Sequence, residues 1–402
     1  MSGAFKVLIL HALTSKSRYA TVQDNLAFGR FAESAEVKFV NVHSPELTKE
    51  VLRDSDLVIL TNDFLTLRSS PRWFRVWKSL APALIEAKQV LFFPQDDYTS
   101  NRELNKAIMQ VPNALVFSPL EHVKEYLYHP SIQNKVRPWL TGFVDVESKS
   151  VYKKFNVSWG DREFDLAQRV TKLSPRFGRE GIRKSQIAED IAARAKASDL
   201  KVDISSNESD MFSGSDWLKF LGNTRYVIGR LSGASLISRG PMSVIRANAI
   251  EKIYRDESDA HLVERIRGRQ TEHPYLAISP RIFESAGLGN CQILEEGEYP
   301  GNLVPWVDYV PIANDMSNSD EVIEFIRSGD GEKLVGSAYT KLVESGDFNQ
   351  KTWVTRLFDE FQYLNGSRRN QEPSSNCLQE NTKPLVKSFQ AFSSSIDWIS
   401  IP

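Results

Sequence analysis

The chain has 402 residues, of which 41% are apolar, and this length allows two domains that each bury a core. Lys and Arg number 50 against 51 Asp and Glu, so the net charge of −1 predicts no nucleic-acid partner and at most a peripheral association with membranes. Two cysteines without metal-ligand spacing and an N-terminus without a signal-peptide pattern predict a cytoplasmic protein, at most at the inner face of a membrane.

Short apolar runs alternate with helical patterns over the first 150 residues. The runs lie at 7–10, 37–42, 57–60, 90–93 and 114–117. Such alternation is typical of a parallel sheet with crossover helices, and residues 71–87 carry their apolar side chains at helical spacing. We therefore predict a doubly wound α/β domain over residues 1–150.

Polar residues follow two of these apolar runs. His11 ends the first run, and Asp96 comes after the fourth in the sequence FPQDDY. The carboxyl ends of parallel strands are where open α/β sheets bind ligands, so both residues are candidate catalytic groups. Asp96 would act as a general base on a hydroxyl group, although an Asp in this position also commonly caps the next helix. His11 equally fits a structural role, and neither residue forms part of a metal-binding pattern.

A second α/β set follows a polar and charged linker at 143–164. Its strands are predicted at 164–170, 201–204, 226–229, 277–279, 292–294 and 309–312, and its helices at 184–197 and 215–221. We predict a second doubly wound domain over residues 151–348 that faces the first across a cleft. A separate helix at 349–365 and a polar extension at 366–402 complete the chain.

Basic and small residues follow the first and third strands of the second set. Residues 174–184, SPRFGREGIRK, place Arg176, Arg179 and Lys184 around two glycines, a pattern that suits a diphosphate or, alternatively, a solvated basic loop. A turn of small residues, Ser232, Gly233, Ala234 and Ser235, would bring backbone amides to the cleft or serve only as a turn. Neither segment has Walker or nucleophile-elbow spacing.

The segment 279–302 places Glu284 at the start of a short helix, where a carboxylate can accept hydrogen bonds from both hydroxyls of a diol. Arg281 precedes it, and Glu296 and Tyr299 lie in the loop after the next strand. The alternative for Glu284 is a solvated residue in the first turn of a helix, stabilised by the helix dipole.

Arg281, Phe283, Glu284 and Gly287 together resemble the sugar-nucleotide motif of bacterial GT-B glycosyltransferases, the group-1-like enzymes of surface-polysaccharide assembly. The resemblance covers most of residues 5–365. It implies two facing Rossmann-like domains, the first for the acceptor and the second for the nucleotide-sugar donor, with helix 349–365 crossing back to the first. It also implies transfer of a sugar to a hydroxyl of a glycan or lipid-linked acceptor, without a metal or other cofactor.

The same resemblance assigns roles within the second domain. It implies that Glu284 accepts hydrogen bonds from the donor ribose, with the basic loop and the Gly233 turn near the diphosphate. Related retaining enzymes carry a second acid where this chain has Leu276, which leaves the stereochemical course open. A sugar-nucleotide 2-epimerase and a noncatalytic nucleotide-binding protein of the same fold are the alternatives.

Overall fold

The computed structural model describes residues 5–15, 17–30, 35–144 and 149–367. The first domain is built on a six-stranded parallel sheet in the order β2-β1-β3-β4-β5-β6. Its strands are β1 (Lys6–His11), β2 (Glu36–Asn41), β3 (Leu57–Leu60), β4 (Val90–Phe92), β5 (Ala114–Ser118) and β6 (Val136–Pro138). Its helices are α1 (Tyr19–Phe28), α2 (Lys49–Arg53), α3 (Asn62–Thr66), α4 (Arg72–Glu86), α5 (Asn101–Gln110) and α6 (Lys124–Leu127).

Both faces of this sheet are buried at its centre, which explains why β1, β3 and β4 are apolar without alternation. Leu8 and Leu10 pack into the core on one face, and Val7 and Ile9 pack into the core on the other. Successive side chains of a strand point to opposite faces, so a strand covered on both sides needs apolar residues at every position.

The second domain repeats this plan with a five-stranded parallel sheet in the order β13-β12-β9-β7-β8 and a separate antiparallel pair, β10 and β11. The strands are β7 (Phe164–Arg169), β8 (Val202–Ser205), β9 (Thr224–Gly229), β10 (Ser232–Ala234), β11 (Tyr275–Ala277), β12 (Cys291–Glu295) and β13 (Val310–Ile312). The helices are α7 (Lys149–Phe155), α8 (Gly178–Lys196), α9 (Gly214–Gly222), α10 (Pro241–Ile253), α11 (Asp259–Arg267), α12 (Arg281–Gly287), α13 (Ser319–Ser328), α14 (Glu332–Tyr339) and α15 (Gln350–Ser367).

The two domains meet through the β10–β11 pair and the segment that follows β10. Ala234 and Tyr275 are buried in a core that belongs mostly to the first domain. Ser238 accepts a backbone hydrogen bond of 2.8 Å from Asn101, and its own N–H donates over 2.8 Å to the carbonyl of Tyr98. The predicted arrangement of two doubly wound sheets facing a cleft is therefore confirmed.

The last described helix, α15, packs on the first domain, as predicted. Trp353 and Leu357 are buried beside Phe28 and Phe93, and the indole N–H of Trp353 donates over 2.8 Å to the carbonyl of Leu140. Helix α15 ends at Ser367 and so includes the first two residues of the predicted extension at 366–402. The rest of that extension lies outside the described residues.

Several element limits differ from the sequence-based expectation. Helix α8 begins six residues earlier than predicted, and α10 and α11 were not predicted. The proposed linker includes α7 and the buried Arg162, whose guanidinium donates to the carbonyls of Thr224 and Gly289 over 2.7 and 2.8 Å. The domain limits at 150 and 348 stay predictions, and the first of them falls inside α7. Within the described residues, no helix is both long and apolar enough to cross a membrane.

Candidate functional site

A cavity of about 270 Å³ lies between the two domains. Both sheets reverse their strand order beside their first strand, and ligands of open α/β sheets bind at such switch points, outside the carboxyl ends of the strands. First-domain residues that line the cavity are Arg18, Tyr19, Ala20, Thr21, Gln95, Asp96 and Thr141. Second-domain residues that line it include Arg169, Lys184, Met211, Phe212, Trp217, Ser232, Ser279, Arg281 and Glu284.

Lys184 provides an ammonium group that has no carboxylate partner in the described part of the chain. It lies in the second turn of α8, and its Nζ donates to Ser232 Oγ over 2.6 Å. Burial lowers the pKa of Lys184 to about 7, and the nearby guanidinium groups of Arg281, Arg230 and Arg18 act in the same direction. A group of like charges with too few counterions is suited to bind an anion, because the anion relieves their repulsion.

Arg281 and Glu284 carry opposite charges three residues apart on α12, yet they form no ion pair. Trp217 of α9 lies against both. Its ring face receives the Arg281 guanidinium at 5.1 Å from the ring centroid, and its Nε1–H donates over 2.7 Å to Glu284 Oε2. Arg281 also donates through Nη2 to the carbonyl of Arg169 over 2.7 Å, while its buried Nε has no hydrogen-bond partner within the described chain. Trp217 thus keeps a cation and a carboxylate separate, and both remain available to a ligand.

Burial dominates the electrostatics of this pair. It raises the pKa of Glu284 above its usual range, against the opposing effects of the Trp217 hydrogen bond and of Arg281. It lowers the pKa of Arg281 to about 10, and Arg18 adds to this shift. Both groups are less stable as ions here than in water, so a ligand with a diol and an anionic group would stabilise both.

Arg18 and Arg169 complete the basic lining from opposite sides. Arg18 reaches from the first domain and donates through Nη2 to Thr171 Oγ1 over 2.7 Å. The charge of Arg169 is already matched, because its guanidinium lies 2.8 Å from Asp203 and stacks on the ring of Phe220. Arg169 therefore shapes the cavity more than it attracts an anion.

Asp96 faces the cavity from the first domain, as the sequence predicts. It is exposed, and its Oδ1 accepts a hydrogen bond of 2.7 Å from the hydroxyl of Tyr98. Its backbone carbonyl accepts from the buried Arg68 over 2.5 Å, which fixes the turn. The neighbouring Asp97 is fully buried and accepts from Ser118 and Tyr128, so its role is structural.

Asp24 is a buried acid behind the cavity lining that the sequence did not reveal. Its Oδ2 accepts from Gln95 Nε2 over 2.7 Å, and Gln95 itself lines the cavity. Burial raises the pKa of Asp24 to about 7, helped by the carboxylates of Glu284 and Asp63. Asp24 therefore orients Gln95 next to Asp96.

His11 does not line the cavity, although it ends β1 at the cleft edge of the sheet. Its Nδ1 accepts from the backbone N–H of Leu13 over 3.3 Å, and burial lowers its pKa. Asp63 beside it accepts hydrogen bonds from Thr61 Oγ1 and Asn25 Nδ2, at 2.7 and 2.9 Å. The geometry favours the structural role that the sequence left open.

Two of the three predicted basic residues lie away from the cavity. Arg179 forms ion pairs with Glu264 and Glu272 at 2.9 and 3.2 Å, and Arg176 stacks on Phe177. Residues 178–184 of the predicted loop form the first turns of α8, so the side chains of Arg179 and Lys184, five residues apart, point in different directions, and Arg176 lies in a short turn before the helix. Only Lys184 of the three reaches the cavity.

The small-residue turn serves strand pairing. Gly233 pairs with Leu276 across β10 and β11, and a Cβ at Gly233 would lie 1.8 Å from the carbonyl oxygen of Tyr275. Ala234 is buried, and Ser235 Oγ donates to Glu272 over 2.5 Å. Ser232, one position earlier, is the residue of this turn that contacts Lys184 in the cavity.

The loop after β12 also stays outside the cavity lining. Glu296 is exposed, and Tyr299 is buried with its hydroxyl donating to the carbonyl of Glu295 over 2.6 Å. Glu295 in turn pairs with Arg230 at 2.7 Å. These contacts close the end of the sheet and hold the carboxylate of Glu295 within the protein.

Trp217 is the main cavity residue to which sequence reasoning assigned no role. Trp217 reads as an apolar position of a helix, and no pattern in the sequence pairs its indole N–H with Glu284, 67 residues away. Within the described ranges, no group of three or more His, Cys, Asp or Glu side chains is arranged to hold a metal ion.

Comparison with protein-family models and with curated proteins gave no match. Solved structures gave matches in fold. An alpha-glucosyltransferase in complex with UDP and a 13-mer DNA containing an HMU base has a TM-score of 0.54 at 11% identity, over 89% of this chain and 99% of the other. An alpha-glucosyltransferase in complex with UDP-glucose and DNA containing an abasic site has a TM-score of 0.53 at 11% identity, with the same coverage. HepE from Anabaena in complex with UDP-glucose has a TM-score of 0.48 at 10% identity, over 89% of this chain and 99% of the other.

These likenesses establish that the chain has the GT-B fold, as the sequence predicted. They also correct one expectation. The prediction that excluded nucleic acid as a partner is wrong, because the two alpha-glucosyltransferase structures of this fold hold DNA. A net charge near zero describes the whole chain and not the basic lining of one cavity, so it was a poor ground for that exclusion.

Proposed function

We propose that the chain is a glycosyltransferase that moves a sugar from a nucleotide-diphosphate sugar to an acceptor hydroxyl. The observation that carries this proposal is the separation of Arg281 from Glu284 by Trp217 beside the unpaired Lys184. A nucleotide-diphosphate sugar is a ligand with both a ribose diol and an anionic diphosphate, and these groups match the carboxylate and the cations of the cavity.

In this proposal Glu284 accepts from the ribose hydroxyls, and Arg281 and Lys184 bind the diphosphate. As the bond between the anomeric carbon and the leaving oxygen breaks, negative charge grows on the nucleoside diphosphate. Preorganised cations at that point stabilise the charge, so a metal ion is not required. The GT-B fold supports this assignment, and so does the motif in the sequence.

The first domain supplies the acceptor side. Asp96 lies across the cavity from Lys184, and one of its carboxylate oxygens is held by Tyr98. The proposed role of Asp96 is to take the proton of the acceptor hydroxyl as the new glycosidic bond forms. The proposed acceptors are a glycan or lipid-linked glycan of surface-polysaccharide assembly in the cytoplasm, and the DNA in the two similar structures adds nucleic acid as a further acceptor class.

Glu284→Gln is expected to weaken UDP-glucose binding about tenfold or more, because a charge-assisted hydrogen bond to the diol becomes a neutral one. Affinity for inorganic pyrophosphate, which has no diol, should not fall. Calorimetric titration of both ligands measures the difference. Glu296→Gln is the matched control, since Glu296 is exposed and outside the cavity. If Glu284→Gln and the wild type bind UDP-glucose with equal affinity, Glu284 does not bind the ribose hydroxyls.

A further inference from the structure

Helix α10 presents an apolar stripe to solvent. Met242, Ile245, Ala249 and Ile253 follow one another at intervals of three and four residues, which places them along one face of a helix. The exposed fractions are 72% for Met242, 50% for Ile245 and 70% for Ile253. A stripe of this kind normally packs on a core, but here α10 buries Pro241 and Ala247 instead, and the large apolar side chains of the stripe face outward.

Basic residues flank this stripe. Arg246 and Lys252 are exposed, lie on either side of it at helical spacing, and form no ion pair with a carboxylate of the described residues. The acid of α10, Glu251, lies toward the protein, where it accepts a hydrogen bond from Ser174. The outward face of α10 therefore combines apolar and cationic groups without an acid.

The same combination continues in the first domain. Helix α10 packs against residues 67–69, which lead directly into α4. The first turns of α4 expose Phe74, at 53%, together with Arg72, Arg75 and Lys78. The side chains of these three basic residues form no ion pair with any carboxylate that the structure describes, and residues 67–82 contain no acid. We call the exposed residues of α10 and of the start of α4 the basic apolar surface.

We propose that the basic apolar surface docks the protein on an anionic lipid bilayer. Aliphatic side chains such as Met242, Ile245 and Ile253 gain free energy by entering the acyl region below the headgroups, while flanking cations meet lipid phosphates. A nucleic acid would use the cations but would leave these aliphatic side chains in water. A symmetric contact with a second copy would bring Arg246 and Lys252 close to their own equivalents, and this repulsion opposes it.

This inference goes beyond the proposed transfer reaction and does not depend on it, because no residue of the surface lines the cavity. It is tested with the full chain in sedimentation with vesicles of phosphatidylcholine alone and of phosphatidylcholine mixed with phosphatidylglycerol. We expect binding to the mixed vesicles and little to the neutral ones. Arg246→Gln with Lys252→Gln should reduce this binding about 25-fold, because each basic residue near a charged membrane contributes roughly fivefold. Met242→Ser with Ile245→Ser should reduce it roughly tenfold or more.

Control variants separate the surface from general changes in charge and hydrophobicity. Val307→Ser removes a 50% exposed apolar side chain elsewhere, and Lys153→Glu changes an exposed charge on α7. Both should bind the mixed vesicles like the wild type. Because all the substituted side chains are exposed, the variants should melt at the wild-type temperature.

Three results would overturn the proposal. One is equal binding to both kinds of vesicle or to neither. Another is tight binding of a DNA duplex that is lost in the Arg246 and Lys252 double variant but kept in the Met242 and Ile245 double variant, which would identify a nucleic-acid surface. The third is a concentration-dependent dimer, seen by sedimentation velocity, that the Met242 and Ile245 double variant abolishes.

Discussion

Lys184→Met is expected to weaken the binding of UDP-glucose about a hundredfold and to reduce any sugar transfer by at least the same factor. The ammonium group has no carboxylate partner in the described chain, and it projects into a cavity that already holds Arg281 and Arg18. A diphosphate bound there would replace hydrogen bonds to water with hydrogen bonds to the ammonium group of Lys184, which is already in position. Titration calorimetry with the wild type and the variant measures the change directly.

The stability of the same variant separates lost binding from lost folding. Burial lowers the pKa of Lys184 from 10.5 to about 7, so between these values the unfolded chain holds a proton that the folded chain lacks. Stability of the ligand-free wild type should therefore rise as the pH increases through this interval, and Lys184→Met should lose that dependence. Methionine fills a similar volume without a charge to desolvate, so the melting temperature near neutral pH should not fall.

Donor affinity should also depend on pH through Lys184. The diphosphate of UDP-glucose has no proton that titrates near neutrality, whereas Lys184 loses its proton as the pH rises past about 7. Wild-type affinity should accordingly decrease above this pH, and Lys184→Arg should flatten the profile because a guanidinium stays protonated. Arg179→Met is the matched control, since Arg179 is paired with Glu264 and Glu272 outside the cavity. Loss of UDP-glucose binding in Arg179→Met but not in Lys184→Met would reverse the assignment.

Trp217→Leu should have the second large effect, a loss of roughly tenfold to a hundredfold in UDP-glucose affinity. Without the indole, only the hydrogen bond to the carbonyl of Arg169 holds the guanidinium of Arg281 away from the carboxylate of Glu284, three residues along α12. The two groups are then free to form the ion pair that the helical spacing allows, and each becomes less available to the ligand. Trp217 therefore acts as a positioning residue through both side chains.

A set of variants distinguishes this role from simple loss of packing. Trp217→Phe keeps a ring under Arg281 but removes the N–H, so UDP-glucose affinity should fall while pyrophosphate affinity is retained. Trp217→Leu should weaken both ligands. Adding Glu284→Gln to Trp217→Leu should restore pyrophosphate binding, because the competing carboxylate is gone. If the double variant binds pyrophosphate no better than Trp217→Leu, the charge-separation account is wrong.

Circular dichroism and the melting temperature show whether each Trp217 variant is folded under the conditions of the titration. Trp306→Leu serves as the control for removal of an indole, since Trp306 is 39% exposed and packs on Phe325 away from the cavity. Its ligand affinities should equal those of the wild type.

Sequence patterns predicted the parts of the fold that depend on local periodicity. The central strands of the first sheet, such as β1 and β3, are short apolar runs covered on both faces, and such runs stand out in the sequence. Helix α10 was missed because its apolar residues lie on more than one side of the helix, so the sequence has no single core-facing stripe. Strand β6 was missed because Val136 is the one aliphatic residue of its three, so it contains no apolar run.

The candidate site was predictable where a residue follows a strand or begins a short motif. Asp96, Lys184, Arg281 and Glu284 all line the cavity. Arg179 and Glu296 do not, because the direction of a side chain depends on where a helix or loop begins, and α8 begins at Gly178. The contacts of Trp217 with Glu284 and of Arg18 with Thr171 join residues 67 and 153 positions apart, and only the folded chain brings them together.

Titration of the wild-type chain with UDP-, GDP-, TDP- and CMP-sugars in the presence of a metal chelator tests the central claim most directly. A ligand that binds only the folded state also raises the melting temperature, which gives a second readout. The account predicts that one nucleotide-diphosphate sugar binds without metal, that Lys184→Met and Glu284→Gln both weaken it, and that inorganic pyrophosphate competes with it. Absence of binding by every nucleotide sugar, with the wild type folded, would contradict the proposed donor site.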